Sequence, residues 1–308
     1  MARVEFKRTA CALVWMGLGI SGLAWSQAQE QVPAPQALRA QAAQPVWELG
    51  VGVGAVSFRD YRGSDTTHAY PVAVPYFIYR GRLLRADREG LKTKLLPQDR
   101  LRLDFSVNAT TPVRNNSARQ GMPQLRTTVE LGPALDIHAW RSADERMKLD
   151  VRLPVRAVTT IGSPGFIGWF FAPNLNLDIA NPAGLTGWNL GLLTGPLFAT
   201  RRYDQYYYRV APQYATAQRP AYEATGGYAG TQVLAALTKR YPKFWTGGYV
   251  RYDTLAGASF ESSPLVKSRS YWSAGIGIAW IIGQSSHLVD VPESLQSPDE
   301  PCNGCSKH

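Results

Sequence analysis

Hydrophobic and polar residues alternate with a period of two over long stretches of this chain. Over 47–54, Trp, Leu and Val alternate with Glu and Gly, and over 147–156, Met, Leu and Val alternate with Lys, Asp, Arg and Pro. Because successive side chains of a β-strand point to opposite faces, each segment has one apolar and one polar face. The same alternation recurs over 100–108, 125–138, 169–179 and 272–280. The pattern therefore predicts an all-β protein with antiparallel strands.

The predicted strands are long, and aromatic residues lie near their ends. Several alternating segments run for ten residues or more, which is the length of a tilted strand that crosses a bilayer. A soluble sandwich shows the same alternation. Strand length and aromatic girdles favour an antiparallel transmembrane β-barrel instead, since open strand edges cannot face lipid. The candidate girdle residues are Trp47, Tyr70, Trp140, Trp188, Phe198, Tyr241, Trp245 and Tyr271.

The lengths of the connections predict the number and direction of the strands. Bacterial barrels place long loops outside the cell and short turns in the periplasm. Keeping that order requires an outer turn near 87–90, which divides 82–96 into two short strands. The prediction is about twelve strands with both termini in the periplasm, or about ten without that turn. Long connections fall at 58–69, 111–123, 203–223 and 258–267, and short turns at 80–81, 97–99, 141–146, 181–184 and 240–242.

The first 28 residues have the features of a secretory signal peptide. Basic residues precede an uncharged run over 11–24, and small residues follow around Ala28. The run is too short to span a bilayer as a helix, which disfavours a retained anchor. Cleavage after Ala28 leaves 30 basic and 22 acidic residues, a net charge of +8. The predicted organisation is a signal peptide at 1–28, a flexible periplasmic leader at 29–45, a barrel at 46–282 and a polar periplasmic tail at 283–308.

Composition narrows the class of protein further. Only 18% of the 308 residues are charged, 45% are hydrophobic, and the net charge is +10. The mean hydropathy of −0.21 excludes a bundle of membrane helices, and the hydrophobic fraction excludes a disordered tail protein. The basic residues are dispersed and the chain is predicted to be exported, so we expect no nucleic acid partner. We expect the protein to contact outer-membrane lipid. The basic outer loops are expected to bind the phosphates of lipopolysaccharide through six arginines: Arg114, Arg119, Arg201, Arg202, Arg209 and Arg219.

Charged residues on the polar faces of the clearest strands predict the character of the barrel interior. Six are basic and five are acidic, so we expect a cross-linked and nearly neutral interior. This balance, in a barrel narrower than a porin, disfavours a strongly ion-selective pore. The predicted lumen charge network consists of Glu48, Arg100, Arg102, Asp104, Arg126, Glu130, Asp136, Lys148, Asp150, Arg152 and Arg156.

The sequence offers little for catalysis. His138 shares a predicted face with Asp136 and Glu130, but a His–acid pair alone does not define a nucleophile and its base. No Gly-x-Ser-x-Gly elbow is present. His68, in the first outer loop, is expected to be solvated. We therefore expect a protein that is not an enzyme, with no catalytic residue, no metal and no cofactor.

The predicted tail holds a Cys-x-x-Cys pair, Cys302 and Cys305, followed by His308. Such a pair with a histidine could bind a metal or exchange thiols. A tetrahedral structural site would need a fourth ligand, and the periplasm is oxidising. With Cys11 removed in the signal peptide, the pair is expected to form a small disulfide.

Three motifs give the chain a resemblance to a known family. The first motif, in segment 47–65, begins with Trp-x-Leu-Gly-x-Gly and continues to Tyr-x-Gly-Ser. The second, in segment 206–228, has a Tyr-rich strand exit, an Ala-rich loop and a Gly-Gly pair. The third, in segment 262–280, places Ser-Pro-x-Val before the final strand. In this order they resemble the MipA/OmpV family of outer-membrane proteins, named for the MltA-interacting protein, over about 47–282. The residues that carry the resemblance are Trp47, Gly50, Tyr61, Gly63, Ser64, Tyr222, Gly226, Gly227, Ser263, Pro264 and Val266.

The resemblance implies an outer-membrane barrel without known catalytic residues. The name-giving member is regarded as a scaffold that joins a lytic transglycosylase to a peptidoglycan synthase, and other members are described as porin-like or adhesive. We expect a scaffold here, which docks through periplasmic turns, leader and tail. The alternatives are a narrow channel for small solutes and a surface adhesin that uses loops 111–123 and 203–223. The chain departs from the usual barrel because it continues past Trp280-Ile281-Ile282, where an aromatic residue usually ends the chain.

Overall fold

Strands dominate the described part of the structure. The computed structural model describes residues 43–80, 84–87, 90–93, 100–163 and 165–290. One α-helix, α1 (Arg201–Tyr208), and three 3-10 helices (Ser117–Arg119, Pro182–Gly184 and Pro212–Tyr214) occur within these ranges. The strands there are β1 (Ala43–Pro45), β2 (Trp47–Arg59), β3 (Thr67–Arg80), β4 (Leu84–Asp87), β5 (Gly90–Thr93), β6 (Leu101–Ala109), β7 (Thr128–Arg141), β8 (Met147–Thr160), β9 (Phe166–Phe171), β10 (Asn174–Ala180), β11 (Trp188–Ala199), β12 (Gly227–Arg240), β13 (Phe244–Thr254), β14 (Ser270–Gln284) and β15 (Leu288–Asp290).

The strands pair in antiparallel fashion. β1 pairs with β15, and the other strands described form one sheet. In that sheet β14 pairs with β2, the first long strand, while β8 pairs with both β9 and β10. β9 and β10 each also pair with β11. The predicted antiparallel β-barrel class is confirmed, and the count of crossing strands stays a prediction.

Two places in the sheet hold short strands. β4 and β5 have four residues each, pair with each other, and flank 88–89, which agrees with the predicted turn near 87–90. β9 and β10 are separated by Ala172 and Pro173. Proline has no backbone N–H to donate to a strand ladder, but β3, β7, β8 and β11 continue through prolines, so Pro173 alone does not account for the interruption.

The strands bury their polar face and expose their apolar face. In β8, Lys148 and Arg152 are buried, whereas Val155 on the opposite face is 39% exposed. In β14 the exposed fraction of Ile276 reaches 69%. This inverts the arrangement of a soluble protein, in which extended apolar surfaces are rare. It matches a barrel with a lipid-facing outer surface and a polar interior.

The connection between β11 and β12 contains a helix that the alternation did not predict. α1 ends at Tyr208, so the Tyr-rich stretch 206–208 is the end of a helix and not of a strand. Residues three and four apart share one face of a helix. That spacing buries Tyr203, Asp204, Tyr207 and Tyr208 together. Among the described residues, no helix is long and apolar enough to cross a membrane.

The first and last described strands pair with each other at one end of the sheet. β1 and β15 form a separate antiparallel pair, in which Ala43 lies opposite Asp290 and Pro45 opposite Leu288; we call this pair the terminal clasp. Residues 43–45, the last three of the predicted flexible leader, therefore lie in a strand, and residues 29–42 lie outside the described residues. The predicted signal peptide at 1–28 and the pair Cys302 and Cys305 lie outside the described residues.

The opposite end of the strands carries the long connections, which pack on one another. An apolar cluster there joins Tyr61, Leu125, Tyr207 and Phe260, one from each connection. The alternation places Leu125 on the outer face of a strand, but β7 begins only at Thr128, and Leu125 is buried in this cluster. We call residues 60–66, 110–127, 200–226 and 255–269 the loop cap.

Candidate functional site

Motif residues of the first and last connections bond to each other in the loop cap. The Tyr61 hydroxyl donates to the Leu265 carbonyl at 2.8 Å. The Gly63 carbonyl accepts from the backbone N–H of Lys267 at 2.7 Å. Gly63 has a φ of +90°, and a Cβ at this position would lie 3.0 Å from a methyl carbon of Leu255. Glycine is therefore required here both by the backbone conformation and by the close approach of two loops.

Motif residues of the third connection join the same cluster. Tyr222 exchanges two backbone hydrogen bonds of 2.9 Å with Val210. Its hydroxyl accepts from the Ser262 hydroxyl at 3.3 Å. The Ser263 hydroxyl donates to the Tyr208 carbonyl at 2.8 Å. Three motif segments that are remote in sequence thus build one structure.

The remaining motif residues divide between the loop cap and the far end of the strands. Val266 packs against the apolar cluster, and Ser64 is fully buried. A Cβ at Gly226 would lie 2.4 Å from the Arg201 nitrogen, so a larger residue does not fit there. Pro264 lies half-buried between Ser263 and Leu265, and Gly227 begins β12. Trp47 and Gly50 lie in β2 near the terminal clasp, apart from the other motif residues.

The second connection is held to the first and third by buried polar groups. The Asn116 amide donates to Asp60 Oδ2 at 2.7 Å and to the Ser64 hydroxyl at 3.1 Å. Arg119 Nη1 donates to the Tyr207 carbonyl at 2.7 Å. Buried loop carbonyls need donors, and here a side chain from another loop provides one.

Two of the six arginines expected to meet lipopolysaccharide donate instead to backbone carbonyls of the loop cap, and for the buried Arg119 the prediction is wrong. Arg119 is buried. Arg219 donates to the carbonyls of Tyr214 at 2.8 Å and Gln120 at 2.9 Å. Both arginines satisfy backbone oxygens that the folded loops would otherwise leave without donors. The four that are exposed are Arg114, Arg201, Arg202 and Arg209.

Aromatic rings fill the centre of the loop cap. Tyr208 stacks on Phe260 with ring centroids 3.7 Å apart and planes 6° from parallel. Tyr203 and Tyr207, one helical turn apart, have centroids 4.9 Å apart. Burial raises the pKa of the Tyr207 and Tyr208 phenols far above neutrality, so both stay protonated. Such a ring cluster has a large apolar area and a defined geometry, which favours a single packed arrangement of the loops.

Asp204 is a buried carboxyl within this apolar surrounding. The Ser259 hydroxyl donates to its Oδ2 at 3.2 Å, and its Oδ1 is buried without a partner among the described residues. Burial raises the pKa of Asp204 to about 7, and the Ser259 hydrogen bond and the charge of Arg62 oppose that rise only in part. The carboxyl therefore changes its charge close to neutral pH.

Beneath the loop cap, charged side chains of β6, β7 and β8 form paired clusters; we call them the charged wall. Arg152 Nε lies 2.7 Å from Asp136 Oδ1, and Arg102 Nη2 lies 2.9 Å from Asp136 Oδ2. Arg156 Nε lies 3.0 Å from Glu130 Oε2. Paired, buried charges of this kind satisfy one another and do not present a ring of one sign to a permeating ion.

The structure places nine of the eleven predicted lumen charges on the inner face and two elsewhere. Arg100 and Arg126 are exposed and precede the first residues of β6 and β7, which begin at Leu101 and Thr128. Alternation defines a face only within a strand, so it does not assign these two residues to the lumen. The nine are Glu48, Arg102, Asp104, Glu130, Asp136, Lys148, Asp150, Arg152 and Arg156.

His68 and His138, the two histidines discussed in the sequence analysis, each have a carboxylate partner. His138 Nδ1 lies 2.7 Å from Asp150 Oδ1, on the adjacent strand, and not against Asp136 or Glu130. His68 Nε2 lies 2.8 Å from Asp60 Oδ1, which corrects the expectation that it is simply solvated. In the ranges that the structure describes, no group of three His, Cys, Asp or Glu side chains could hold a metal ion.

A cavity of about 80 Å³ lies between the loop cap and the charged wall. Its lining includes Arg59, Arg62, Tyr207, Tyr249 and Arg251. A cavity of this size holds several water molecules or one small polar ligand.

Sequence reasoning missed the residues that couple loop cap and lumen. Arg62 Nη2 lies 3.4 Å from Asp253 Oδ1, and Arg251 Nε lies 2.7 Å from Asp253 Oδ2. Arg62 stands inside the motif Tyr61-x-Gly63-Ser64, which is the one signal that could have drawn attention to it. Nothing in the sequence indicates that Asp204 faces Ser259, because that contact joins two loops 55 positions apart.

Comparison with known proteins gives one family and two named relatives. Residues 51–282 match the family described as MltA-interacting protein MipA. The outer membrane protein Omp26La of Vibrio anguillarum is 23% identical over 212 residues, which cover 66% of this chain and 76% of that protein. The outer membrane protein OmpV of Vibrio cholerae serotype O1 is 30% identical over 89 residues, which cover 28% of this chain and 33% of that protein.

Solved structures resemble the chain more distantly. A bacterial polysaccharide outer membrane secretin matches with 8% sequence identity and a TM-score of 0.39, over 79% of this chain and 100% of that one.

Proposed function

The chain belongs to the MltA-interacting protein MipA family, and from that premise we propose that it is a non-enzymatic scaffold that joins a lytic transglycosylase to a peptidoglycan synthase. It is an outer-membrane protein of antiparallel β-barrel class, as its relatives are outer membrane proteins. The observation that carries the proposal is the family match over 51–282, since the family is described by its interaction with MltA. A scaffold needs an accessible surface and no catalytic centre.

The surface proposed for docking is the end of the barrel that carries the short turns. Turns 142–146, 181–187 and 241–243 lie at this end with the terminal clasp, and we call them the turn face. Short turns and chain termini are expected on the periplasmic side, where cell-wall enzymes act. The turn face has exposed charges: Arg146 and Asp144 side chains are 63% and 60% exposed.

The charged clusters of the lumen support a protein without an active site. His138 is bound to Asp150, which also lies 2.7 Å from Lys148 Nζ. In this cluster each charge is matched by a neighbour, as in a structural ion-pair network.

Binding of purified enzymes to the immobilised mature barrel tests the scaffold. We expect a lytic transglycosylase and a peptidoglycan synthase each to be retained, and the first enzyme to remain bound when the second is added. Reversing the turn-face charges with Asp144→Lys and Arg146→Glu should weaken binding at least about tenfold. The matched control reverses an exposed pair of the loop cap, Arg209→Glu with Glu223→Arg, and should leave binding unchanged. A folded barrel that retains neither enzyme contradicts the proposal.

The alternative of a narrow solute channel is tested by conductance in a planar bilayer. The packed loop cap and the paired lumen charges favour a barrel without a steady current. A steady ohmic current from the full chain would favour the channel. The adhesin alternative would be supported if deletion of the exposed loop residues 215–218 removed binding to host cells.

Lipopolysaccharide remains the proposed lipid partner at the outer rim, through two exposed arginines. Arg201 and Arg202 begin α1, and the Arg202 guanidinium lies 5.3 Å from the centre of the Phe166 ring on the outer surface. Arginines just above the apolar outer surface of the barrel lie at the height of lipid phosphates, which lie just above the acyl chains. Replacing both by glutamine should weaken lipopolysaccharide binding, whereas Lys243→Gln, an exposed position in the turn face at the opposite end, should not. Unchanged binding in the double variant would remove this partner.

A further inference from the structure

The cavity between the loop cap and the charged wall is lined by donors that the protein itself does not satisfy. Arg59 Nε, Arg62 Nε and the Tyr249 hydroxyl are buried, and none has a hydrogen-bond partner among the described residues. All three side chains belong to the wall of the same cavity. Buried donors are almost always paired in folded proteins, so three around one cavity indicate a missing acceptor.

The charges around this cavity indicate that the acceptor is an anion. Arg62 and Arg251 both lie against the carboxylate of Asp253. Within the described ranges no carboxylate lies at ion-pair distance from Arg59, whose Nη1 donates instead to the Ser64 carbonyl at 3.1 Å. Guanidinium groups do not lose their proton in proteins. The cavity therefore has more cationic than anionic groups.

The acidic residues Asp60 and Glu130 in the lining of the cavity are already engaged. Glu130 pairs with Arg156 at 3.0 Å, and Asp60 pairs with His68 at 2.8 Å. Neither carboxylate offsets Arg59. A half-buried cation without a counter-ion is destabilising, and an anion that enters from solvent offsets that cost. Arg126, which is exposed, also contributes to the lining, so the site reaches the surface of the protein.

We propose that this cavity is a binding site for one small oxyanion, a phosphate or a short carboxylate, held by Arg59, Arg62 and the Tyr249 hydroxyl. An oxyanion has several acceptor oxygens and accepts from two guanidinium groups and a hydroxyl at once. The cavity volume of about 80 Å³ is large enough for one such ion. The site lies at the far end of the barrel from the turn face and is independent of the scaffold proposal.

Titration calorimetry on the full mature chain in a zwitterionic detergent tests the site with inorganic phosphate and with acetate as separate probes. We expect saturable binding of at least one of the two at constant ionic strength. Arg59→Gln should weaken the binding constant by about tenfold or more, since it removes a charged donor. Tyr249→Phe should weaken it by a few-fold without loss of stability, because the hydroxyl has no protein partner to lose. Acetate binding without phosphate binding would identify a carboxylate site, and the reverse a phosphate site.

Arg114→Gln is the matched control, since it removes one positive charge from an exposed position outside the cavity. It should leave the binding constant within a factor of about two. If Arg59→Gln does not fold, Tyr249→Phe still tests the site. The proposal is overturned if phosphate and acetate give no saturable heat beyond that of chloride at the same ionic strength. It is also overturned if Tyr249→Phe binds as the natural sequence does.

Discussion

The charged wall and the loop cap both bury polar groups, and they satisfy them in different ways. In the charged wall the partners are neighbours on adjacent strands: Asp136 lies directly opposite Arg152 in the β7–β8 register. In the loop cap the partners come from distant parts of the chain, as with Tyr61 and Leu265, 204 positions apart. The wall therefore depends on the match of charges, and the loop cap on the fit of whole loops.

This difference has a consequence for what each region tolerates. A paired charge in the wall loses one partner when a single residue changes, and the other charge stays buried. A ring in the loop cap can be lost while the strands below keep their hydrogen bonds. We expect wall substitutions to affect unfolding of the barrel as a whole and cap substitutions to open the loops.

The largest effect is expected from Arg156→Ala in the charged wall. Its side chain is 1% exposed and that of its partner Glu130 is 3% exposed. Removing the guanidinium leaves a buried carboxylate, which should cost about 3–5 kcal/mol in the free energy of unfolding. Urea unfolding of the barrel in detergent measures it. The double variant Arg156→Met with Glu130→Leu should recover most of the loss, and a double variant as unstable as the single one would contradict the charge argument.

Phe260→Ala tests the loop cap with a slightly smaller effect. The ring is buried and stacked on Tyr208, and its removal should cost about 3 kcal/mol of cap stability. Because the loss is local, limited proteolysis should cut within 255–269 while the urea midpoint of the barrel moves little. An equal loss in both measurements would show that cap and barrel unfold as one unit.

Asp204 makes the stability of the loop cap depend on pH, with a moderate effect. Its pKa is about 7 in the folded cap and returns to its ordinary acidic value when the cap opens. A carboxyl with a raised folded pKa stabilises the cap at low pH, and that stability is lost as the pH rises through about 7.

We therefore expect opening to be at least about tenfold more frequent at pH 8 than at pH 5. Hydrogen exchange of 201–208, corrected for intrinsic rates, measures the opening. Asp204→Asn should abolish the difference, and Asp65→Asn, at an exposed position of the cap, should keep it. A difference that persists in Asp204→Asn would assign the pH dependence to another group.

The smallest effect is expected at an exposed ion pair of the loop cap. Arg209 Nε lies 2.6 Å from Glu223 Oε1, but the two side chains are 48% and 50% exposed. Arg209→Gln should change cap stability by no more than about 0.5 kcal/mol, because water and salt screen the pair. The same proteolysis assay measures it. A loss as large as that of Phe260→Ala would mean that charge pairing, and not ring packing, holds the cap.

The sequence could predict the strands and much of the wall because both follow from a local rule. Val151 and Arg152 belong to opposite faces simply because they are consecutive in a strand. The rule failed at Arg100 and Arg126, which lie just outside their strands. It also failed at Tyr206–Tyr208, where helix formation depends on the packing of Tyr203 and Tyr207 under other loops. The three motifs carry the family likeness without revealing that most of their residues meet in one place.

The terminal clasp bears on the order in which the barrel forms. β2 and β14 pair residues more than 200 positions apart, as Val51 with Trp280, and such distant pairings form late because a long loop must close first. β1 and β15 continue that pairing beyond the ends of both strands. Once the clasp has formed, the two long strands are held close together, so we expect each local separation of β2 from β14 to be followed by rapid re-pairing. We therefore expect the clasp to slow the separation of β2 from β14, the pairing with the greatest sequence separation in the sheet.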